Sequence, residues 1–140
     1  MGTRRKSREL TMQMLFQGDL GKHTPDEVRK SFWSSRDDVD AETRGFAEDI
    51  YRVATSRAVE IDAVIELHSK NWRIERMSVV DRNLLRAAVA EMMGYPNTPG
   101  PIIINESLEV ARRYAAPESI HFLNGVLDAV ARELLKKRLA

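Results

Sequence analysis

A dense group of positive charges stands near the start of the chain, before the first acidic residue, Glu9. The whole chain of 140 residues carries a formal net charge of only +1, so this charge is concentrated. Guanidinium and ammonium groups bind phosphates, and an aromatic ring such as Phe16, further along the same stretch, can stack on an unpaired base. These residue types therefore suit the binding of a flexible polyanion. The cations are Arg4, Arg5, Lys6 and Arg8.

The element that must position these side chains is a helix. Leu10, Met14 and Leu15 continue from the charged residues at helical spacing, and neither Gly nor Pro intervenes. This pattern predicts an amphipathic helix from about Arg5 to Leu20. Cations at a helix N-terminus oppose the macrodipole, so they do not stabilise the helix itself, whereas an external polyanion would explain them. A disordered, solubilising tail is the alternative interpretation of the same charges.

The rest of the chain has the opposite sign of charge. Residues 1–8 carry +4 and residues 136–138 add +3, which leaves −6 for the remainder of a total of +1. A basic end and an acidic body can serve an anionic ligand and a basic partner separately. For residues 136–138 a simpler explanation is available, because cations are favoured at a helix C-terminus.

Residues that carry catalysis do not occur in the usual patterns. The chain has no cysteine, its three histidines are scattered, and its glycines never fall in the GxGxxG or GxxxxGK spacing of phosphate-binding loops. We therefore expect no metal, no cofactor and no enzymatic activity. The apolar runs are too short for a membrane span, and the basic start lacks the apolar region of a secretory signal, so we expect a cytoplasmic protein.

Periodicity along the rest of the chain predicts an all-α fold of six to seven helices in one domain, residues 1–140. Thr24 to Glu27 has the sequence of a capping box, and Ser78 is expected to cap a later helix. A long apolar stripe predicts one helix of about seven turns that starts near Asp40. Gly21 is expected to take the left-handed conformation that ends the first helix.

The C-terminal part of the chain offers one ambiguous segment. Ile102 to Ile104 could form a strand, but no second strand candidate is present to pair with it, so we predict the start of a helix whose buried stripe continues to Tyr114. Pro117 precedes the last helix. Gly125 lies inside that helix and suggests close packing against a neighbour.

Three blocks together resemble the NusB family of bacterial transcription antitermination factors. The first is Arg4 to Gln17, the second is Asn71-Trp72 with Arg76 to Ala88 and Glu91, and the third is Ile104 to Arg112 with Ser119 to Asp128. The resemblance covers essentially the whole chain, and Ile-Asn-Glu followed by Phe-Leu-Asn-Gly-Val-Leu-Asp is its most specific part. It implies a fold of two packed three-helix subbundles.

The resemblance also implies partners. Family members bind the boxA element of nascent ribosomal RNA leaders, as single-stranded RNA, together with the ribosomal protein NusE. That pair joins NusA, NusG and RNA polymerase to suppress premature, Rho-dependent termination. Family members occur as monomers and as homodimers, and a homodimer that covers the first helix would hide the RNA surface until NusE arrives.

Site residues can be carried over by position. The resemblance places RNA contacts on two aromatic rings and on the basic cluster, and it places contacts with NusE on three acidic residues. Core packing is an alternative use of both rings, and base edges need further contacts, for which Gln13 is one candidate. The RNA-binding residues are Arg4, Arg5, Lys6, Arg8, Phe16 and Phe122, and the residues for NusE are Glu75, Asp81 and Glu118.

Two other functions remain open at this stage. The chain could be a helical module that binds only protein, with an incidental basic tail, or part of an RNA methyltransferase, to which a similar helical domain is fused in other proteins. If the basic cluster binds RNA from the surface, replacing all four of its cations should weaken RNA binding and leave thermal stability intact.

Overall fold

Seven α-helices and one 3-10 turn make up the part of the chain described by the computed structural model, which is residues 2–70 and 72–139. Asn71, part of the second sequence block, lies outside these residues. The prediction of an all-α fold is confirmed. The helices are α1 (Gly2–Gly21), α2 (Pro25–Ser34), α3 (Ala41–Ser56), α4 (Ala58–Leu67), α5 (Val79–Gly94), α6 (Gly100–Tyr114) and α7 (Ser119–Leu139), and the 3-10 turn is Ile74–Arg76.

The helices form two subbundles. The smaller core lies among α1, α2 and α3, where Phe32 and Trp33 meet edge to face with their ring centroids 5.0 Å apart. The larger core is built mainly from α3 to α7. Because α5 packs against α1 and α3 as well as α6 and α7, it joins the two subbundles. Burial of these apolar side chains is the main force that holds the helices together.

Close packing against α3 decides which face of α1 remains in solvent. Ser7 and Thr11 are fully buried, and their hydroxyls donate to the carbonyls of Thr43 (2.8 Å) and Ala47 (3.2 Å) on α3. Short hydroxyl side chains allow the two backbones to approach and satisfy the buried polar groups at the same time. Lys6 lies on the opposite side of the first turns of α1 and is exposed, whereas Arg4 lies on the same side as Ser7 and Thr11 but is exposed at the end of this contact.

Two predicted helix starts are confirmed. The Thr24 backbone N–H donates to Glu27 Oε1 at 2.8 Å, and the Glu27 N–H donates back to Thr24 Oγ1 at 3.2 Å, which is a complete capping box. Ser78 Oγ accepts from the Asp81 N–H at 3.0 Å and caps α5. Ile102 to Ile104 are helical, as predicted.

The prediction of one seven-turn helix is wrong, because the segment is divided between α3 and α4. The backbone of Arg57 leaves helical geometry, with φ −117° and ψ 30°. The Arg57 N–H still bonds to the carbonyl of Val53, and the Ile61 N–H bonds to the carbonyl of Arg57, so the chain bends without losing these bonds. Both halves bury their apolar side against the larger core, and the stripe therefore does not reveal the bend.

Two glycine predictions are also wrong. Lys22, with φ 55°, takes the left-handed conformation after α1, and the His23 N–H closes the helix end on the Gly18 carbonyl. Gly21 ends α1 without taking the left-handed conformation, and a Cβ there would lie 2.9 Å from the ring of exposed His23, which can rotate away. A Cβ on Gly125 would meet nothing within 4 Å, so no helix packs closely on that position.

Candidate nucleic-acid interface and partner groove

The four cations of the basic cluster have different surroundings on α1. Arg4 stacks over the Phe46 ring, 3.7 Å from its centroid. Arg5 donates twice to Glu106 of α6, at 3.0 and 3.2 Å, and Lys6 pairs with Glu9 at 3.3 Å. Carboxylates of the protein itself pair with Arg5, Lys6 and Arg8, so an external polyanion is not needed to explain all of these charges.

Arg8 belongs to the interior. Its guanidinium donates to both oxygens of Glu91 on α5, at 2.8 and 2.6 Å, and only 11% of the Arg8 side chain and 2% of the Glu91 side chain are exposed. Removing one partner of such a pair leaves an uncompensated buried charge. Replacing all four cations is therefore expected to lower stability, through the loss of Arg8.

Arg5 is paired and still available to a ligand. A guanidinium has five N–H donors, and Glu106 takes two of them, through Nε and Nη2. About half of the Arg5 side chain is exposed, so its remaining donors face solvent. The hydrogen bond from Arg5 also holds the pKa of Glu106 below its usual range, which keeps this carboxylate charged.

Phe16 lies on nearly the same side of α1 as Arg5, because it follows Arg5 by 11 residues, which is about three turns or 16 Å along the axis. Its ring is half-buried and packs against the larger core. One side of the ring is thus held by the protein while part of it remains accessible. This geometry suits both of the uses expected for Phe16, which are packing in the core and stacking on an RNA base.

Three residues that the sequence did not single out meet beside the basic cluster. Glu9 is buried under it and accepts a hydrogen bond from the hydroxyl of Tyr114, at the last position of α6. Arg113 Nη1 lies 2.9 Å from Glu9 Oε2. Tyr114 is partly exposed, so its assignment to the buried stripe of α6 is wrong. The only signal in the sequence was the pair of arginines at 112 and 113, which also suits a helix C-terminus.

An ion network attaches the end of α1 to α5. Asp19 accepts from Arg82 at 2.7 and 2.8 Å, from Asn83 at 2.9 Å and from Arg86 at 3.0 Å. Arg86 also binds Asp62 of α4 with two hydrogen bonds. The hydrogen bond from Arg82, helped by Asn83 and by the two guanidinium charges, lowers the pKa of Asp19 to about 2 despite its partial burial.

A separate groove lies between the 3-10 turn, α5 and α7, and we call it the partner groove. Trp72, Met77 and Phe122 give it an apolar floor, with the Trp72 and Phe122 rings edge to face at 6.3 Å. Asp81 and Glu118 stand at its rim. The Ser119 hydroxyl donates to Asp81 at 2.9 Å and ties α7 to α5.

The carried-over residues do not form the two groups that the resemblance implies. Asp81 and Glu118 share the partner groove with Phe122, whereas Glu75 is exposed on the 3-10 turn, 3.6 Å from Arg73, and does not line the groove. Among the described residues that line it, none comes from α1. Phe122 therefore lies with the residues expected for NusE and not with the basic cluster.

Neither a metal site nor a membrane-spanning helix is found in the part of the chain that the structure describes. Within residues 2–70 and 72–139, no three His, Asp or Glu side chains are grouped so that they could hold a metal ion. No helix in these ranges is both long enough and apolar enough to cross a membrane.

Comparison with known proteins agrees with this architecture. The model of the NusB family matches residues 5–132. The transcription antitermination protein NusB of Koribacter versatilis (strain Ellin345) is 60% identical over 137 residues, which cover 98% of this chain and 94% of that protein. The solved structure of NusB from T. maritima has a TM-score of 0.85 and 30% identity, with 93% of this chain and 91% of that chain covered.

A second solved structure contains NusB with other molecules. It is described as the antitermination factors NusB and NusE in complex with double-stranded RNA, and it matches with a TM-score of 0.85 and 26% identity over 95% of this chain and 98% of that chain. The family model, the relative and both structures cover nearly the whole chain and agree on one assignment. The chain belongs to the NusB family.

Proposed function

We propose that this protein is an RNA-binding transcription antitermination factor. It binds the boxA element of nascent ribosomal RNA together with NusE, and it joins NusA, NusG and RNA polymerase to suppress premature, Rho-dependent termination. It does so in the cytoplasm, without catalysis, as one NusB-like domain of residues 1–140. The observation that carries the proposal is the family match over residues 5–132 on a chain whose first helix exposes cations.

The RNA surface is formed by the exposed residues of α1. Arg4, Arg5 and Lys6 bind backbone phosphates, and Phe16 offers part of its ring to a base. Arg8 does not contact RNA in this proposal, because its guanidinium is occupied by buried Glu91. It instead fixes α1 on α5. Three phosphate contacts on single-stranded RNA correspond to a slope of log affinity against log salt of about −2.

NusE occupies the partner groove. The aromatic floor of Trp72 and Phe122 can bury an apolar anchor, and Asp81 and Glu118 can pair with basic groups at the rim. Glu75 remains a peripheral contact, because it is exposed beside the groove. Phe122 contacts NusE in this proposal and does not contact RNA bound to α1, since no described residue of α1 lines the groove.

Fluorescence anisotropy with labelled boxA RNA tests the proposal. Scrambled RNA and a duplex of the same composition are compared with boxA, with and without NusE, over a range of salt and protein concentrations. We expect a preference for boxA that NusE strengthens. Gln substitution of Arg4, Arg5 and Lys6 together should weaken boxA binding at least ~10-fold at low salt, because about three phosphate contacts are lost.

A matched triple variant controls for net charge. Lys30, Arg132 and Lys136 are exposed cations on α2 and α7, and changing all three to Gln removes the same charge from other faces. This control should bind boxA nearly as the unchanged protein does. Equal weakening by both triple variants would contradict the assignment of α1. Tight NusE binding with no preference among RNAs would instead favour a module that binds only protein.

The same titration tests the homodimer. If a dimer covers α1, RNA affinity should rise as dilution or NusE removes the dimer. RNA affinity that is independent of the dimer fraction would refute the hypothesis that a homodimer hides the RNA surface.

A further inference from the structure

Glu9 is the centre of a cluster that joins α1 to the end of α6. Only 5% of its side chain is exposed, and it lies beneath the exposed cations. Lys6 Nζ reaches its Oε1 at 3.3 Å, while Arg113 Nη1 lies 2.9 Å from Oε2 and the Tyr114 hydroxyl donates to the same oxygen. One buried carboxylate therefore holds two cations and an aromatic ring in a fixed arrangement. We call Lys6, Glu9, Arg113 and Tyr114 the Glu9 cluster.

Glu9 is ionised in this arrangement. Burial acts to raise its pKa, but the hydrogen bonds from Tyr114 and Lys6 and the charges of Lys6 and Arg113 outweigh it and hold the pKa of Glu9 below its usual range. Tyr114 stays protonated and keeps donating, because burial and the bond to Glu9 raise its pKa. Two cations surround one anion, so the Glu9 cluster has a net positive charge beside Arg5.

Tyr114 presents a ring whose position is fixed at the hydroxyl end. The hydroxyl donates to Glu9 and accepts from Gln13 Nε2 at 3.0 Å, while 37% of the residue is exposed. A ring that is already held in place loses little conformational entropy when a base stacks on it. Because the hydroxyl is hydrogen-bonded to protein groups, it does not need a hydrogen bond to water at that end of the ring.

Arg113 lies next to this ring and is mostly in solvent. Its guanidinium carbon is 5.6 Å from the Tyr114 ring centroid, and 67% of its side chain is exposed. Arg113 contacts Glu9 through Nη1, so its other N–H donors are free to bind a phosphate. An aromatic face beside an arginine is the combination that binds a nucleotide of single-stranded nucleic acid.

We propose that Arg113 and Tyr114, held by Glu9, extend the RNA surface of α1 onto α6 and bind one further nucleotide of single-stranded RNA. Tyr114 stacks on its base, and Arg113 with Lys6 binds its phosphate. The inference rests on the proposed function, since it concerns the path of the same RNA. Gln13, one candidate for a base contact, instead serves to orient Tyr114.

Variants of the cluster test this inference in the same anisotropy assay. Tyr114→Ala should weaken boxA binding at least ~5-fold, the low end of the effect of losing one stacked base. Tyr114→Phe keeps the ring and should bind within ~3-fold of the unchanged protein. Because stacking needs an unpaired base, Tyr114→Ala should leave binding to duplex RNA unchanged.

Arg112 supplies a matched control for Arg113. Both are exposed arginines of the last turn of α6, but Arg112 pairs with Glu109 at 2.7 Å, away from the Glu9 cluster. Arg113→Gln should make the salt slope shallower by about 0.7, the value for one phosphate of single-stranded RNA. Arg112→Gln should leave the slope unchanged.

A cross-linking measurement decides the question even if Tyr114→Ala unfolds. Photo-activated 4-thiouridine in boxA RNA, bound to the unchanged protein with and without NusE, should form an adduct at Tyr114 or Arg113. No adduct there, together with unchanged slope and affinity in Arg113→Gln, would overturn the inference. If the triple variant of Arg4, Arg5 and Lys6 still loses RNA binding in that case, the proposed function stands and only the inference about Arg113 and Tyr114 fails. If the unchanged protein shows no preference for boxA, the proposed function itself fails.

Discussion

Substituting Arg8 by alanine leaves the carboxylate of Glu91 buried without its partner. In the folded protein this carboxylate receives two short hydrogen bonds from Arg8 and has almost no contact with solvent. Breaking a buried ion pair by removing one partner typically costs about 3–5 kcal/mol of unfolding free energy. Solvent reaches 11% of the Arg8 side chain, so water can enter beside Glu91 in the variant, and we expect the low end, about 3 kcal/mol.

That loss is large for a domain of this size. Single domains have unfolding free energies of about 5–15 kcal/mol, so a loss of about 3 kcal/mol removes much of the margin. For a chain of 140 residues, the typical entropy of unfolding converts it to a fall in Tm of ~10 °C. Circular dichroism at 222 nm, in urea and on heating, measures both quantities.

Two further variants separate the buried pair from the general effect of losing a basic residue. Arg8→Met combined with Glu91→Leu removes both charges, and it should recover most of the lost stability, because apolar residues of similar volume often replace a buried pair without net cost. Arg5→Ala removes a pair that is partly exposed, with 44% of the Arg5 side chain and 24% of the Glu106 side chain in solvent, and it should lower Tm much less than Arg8→Ala does.

The same variants report on RNA. Where Arg8→Ala is still folded, its salt slope for boxA binding should equal that of the unchanged protein, since Arg8 makes no phosphate contact in our proposal. The reasoning is refuted if Arg8→Ala keeps the full unfolding free energy while its salt slope becomes shallower by about 0.7.

Three other perturbations have definite expected outcomes. The pKa of Asp19 is lowered to about 2 in the folded protein, so its contribution to stability is present above the unfolded pKa of about 3.9 and is lost as pH falls from about 5 to 2. In Asp19→Asn, the unfolding free energy measured in urea should therefore fall less over this pH range, by about 1–2 kcal/mol after allowance for solvent screening. Gly125→Ala should raise the unfolding free energy by about 0.5–1 kcal/mol in the same assay, because Gly125 is an exposed position inside α7 with open space around it. A lower unfolding free energy would show that a neighbour does pack there. Phe122→Ala should weaken NusE binding in calorimetry at least ~10-fold, as for an interface anchor, and should change binding of RNA alone by less than ~2-fold; the reverse order would move Phe122 to the RNA surface.

Local features were predictable from the sequence. The Thr24 capping box, the Ser78 cap and the helical state of Ile102 to Ile104 follow from interactions within a few residues of chain, and the structure confirms them. The all-α fold followed from apolar periodicity, and the family resemblance rested on whole blocks of residues. The presence of a group of cations on the first helix was likewise visible in the order of residues.

Tertiary structure decided what each of those cations does. Arg8 meets Glu91, 83 positions later, and Arg5 meets Glu106, 101 positions later, so no short-range pattern distinguishes the buried arginine from the exposed ones. Tyr114 lies on the apolar stripe of α6 by periodicity, yet α1 leaves part of its ring in solvent and binds its hydroxyl through Glu9. Helical periodicity reports which side of one helix is apolar, whereas exposure and charge pairing depend on which other helix covers that side.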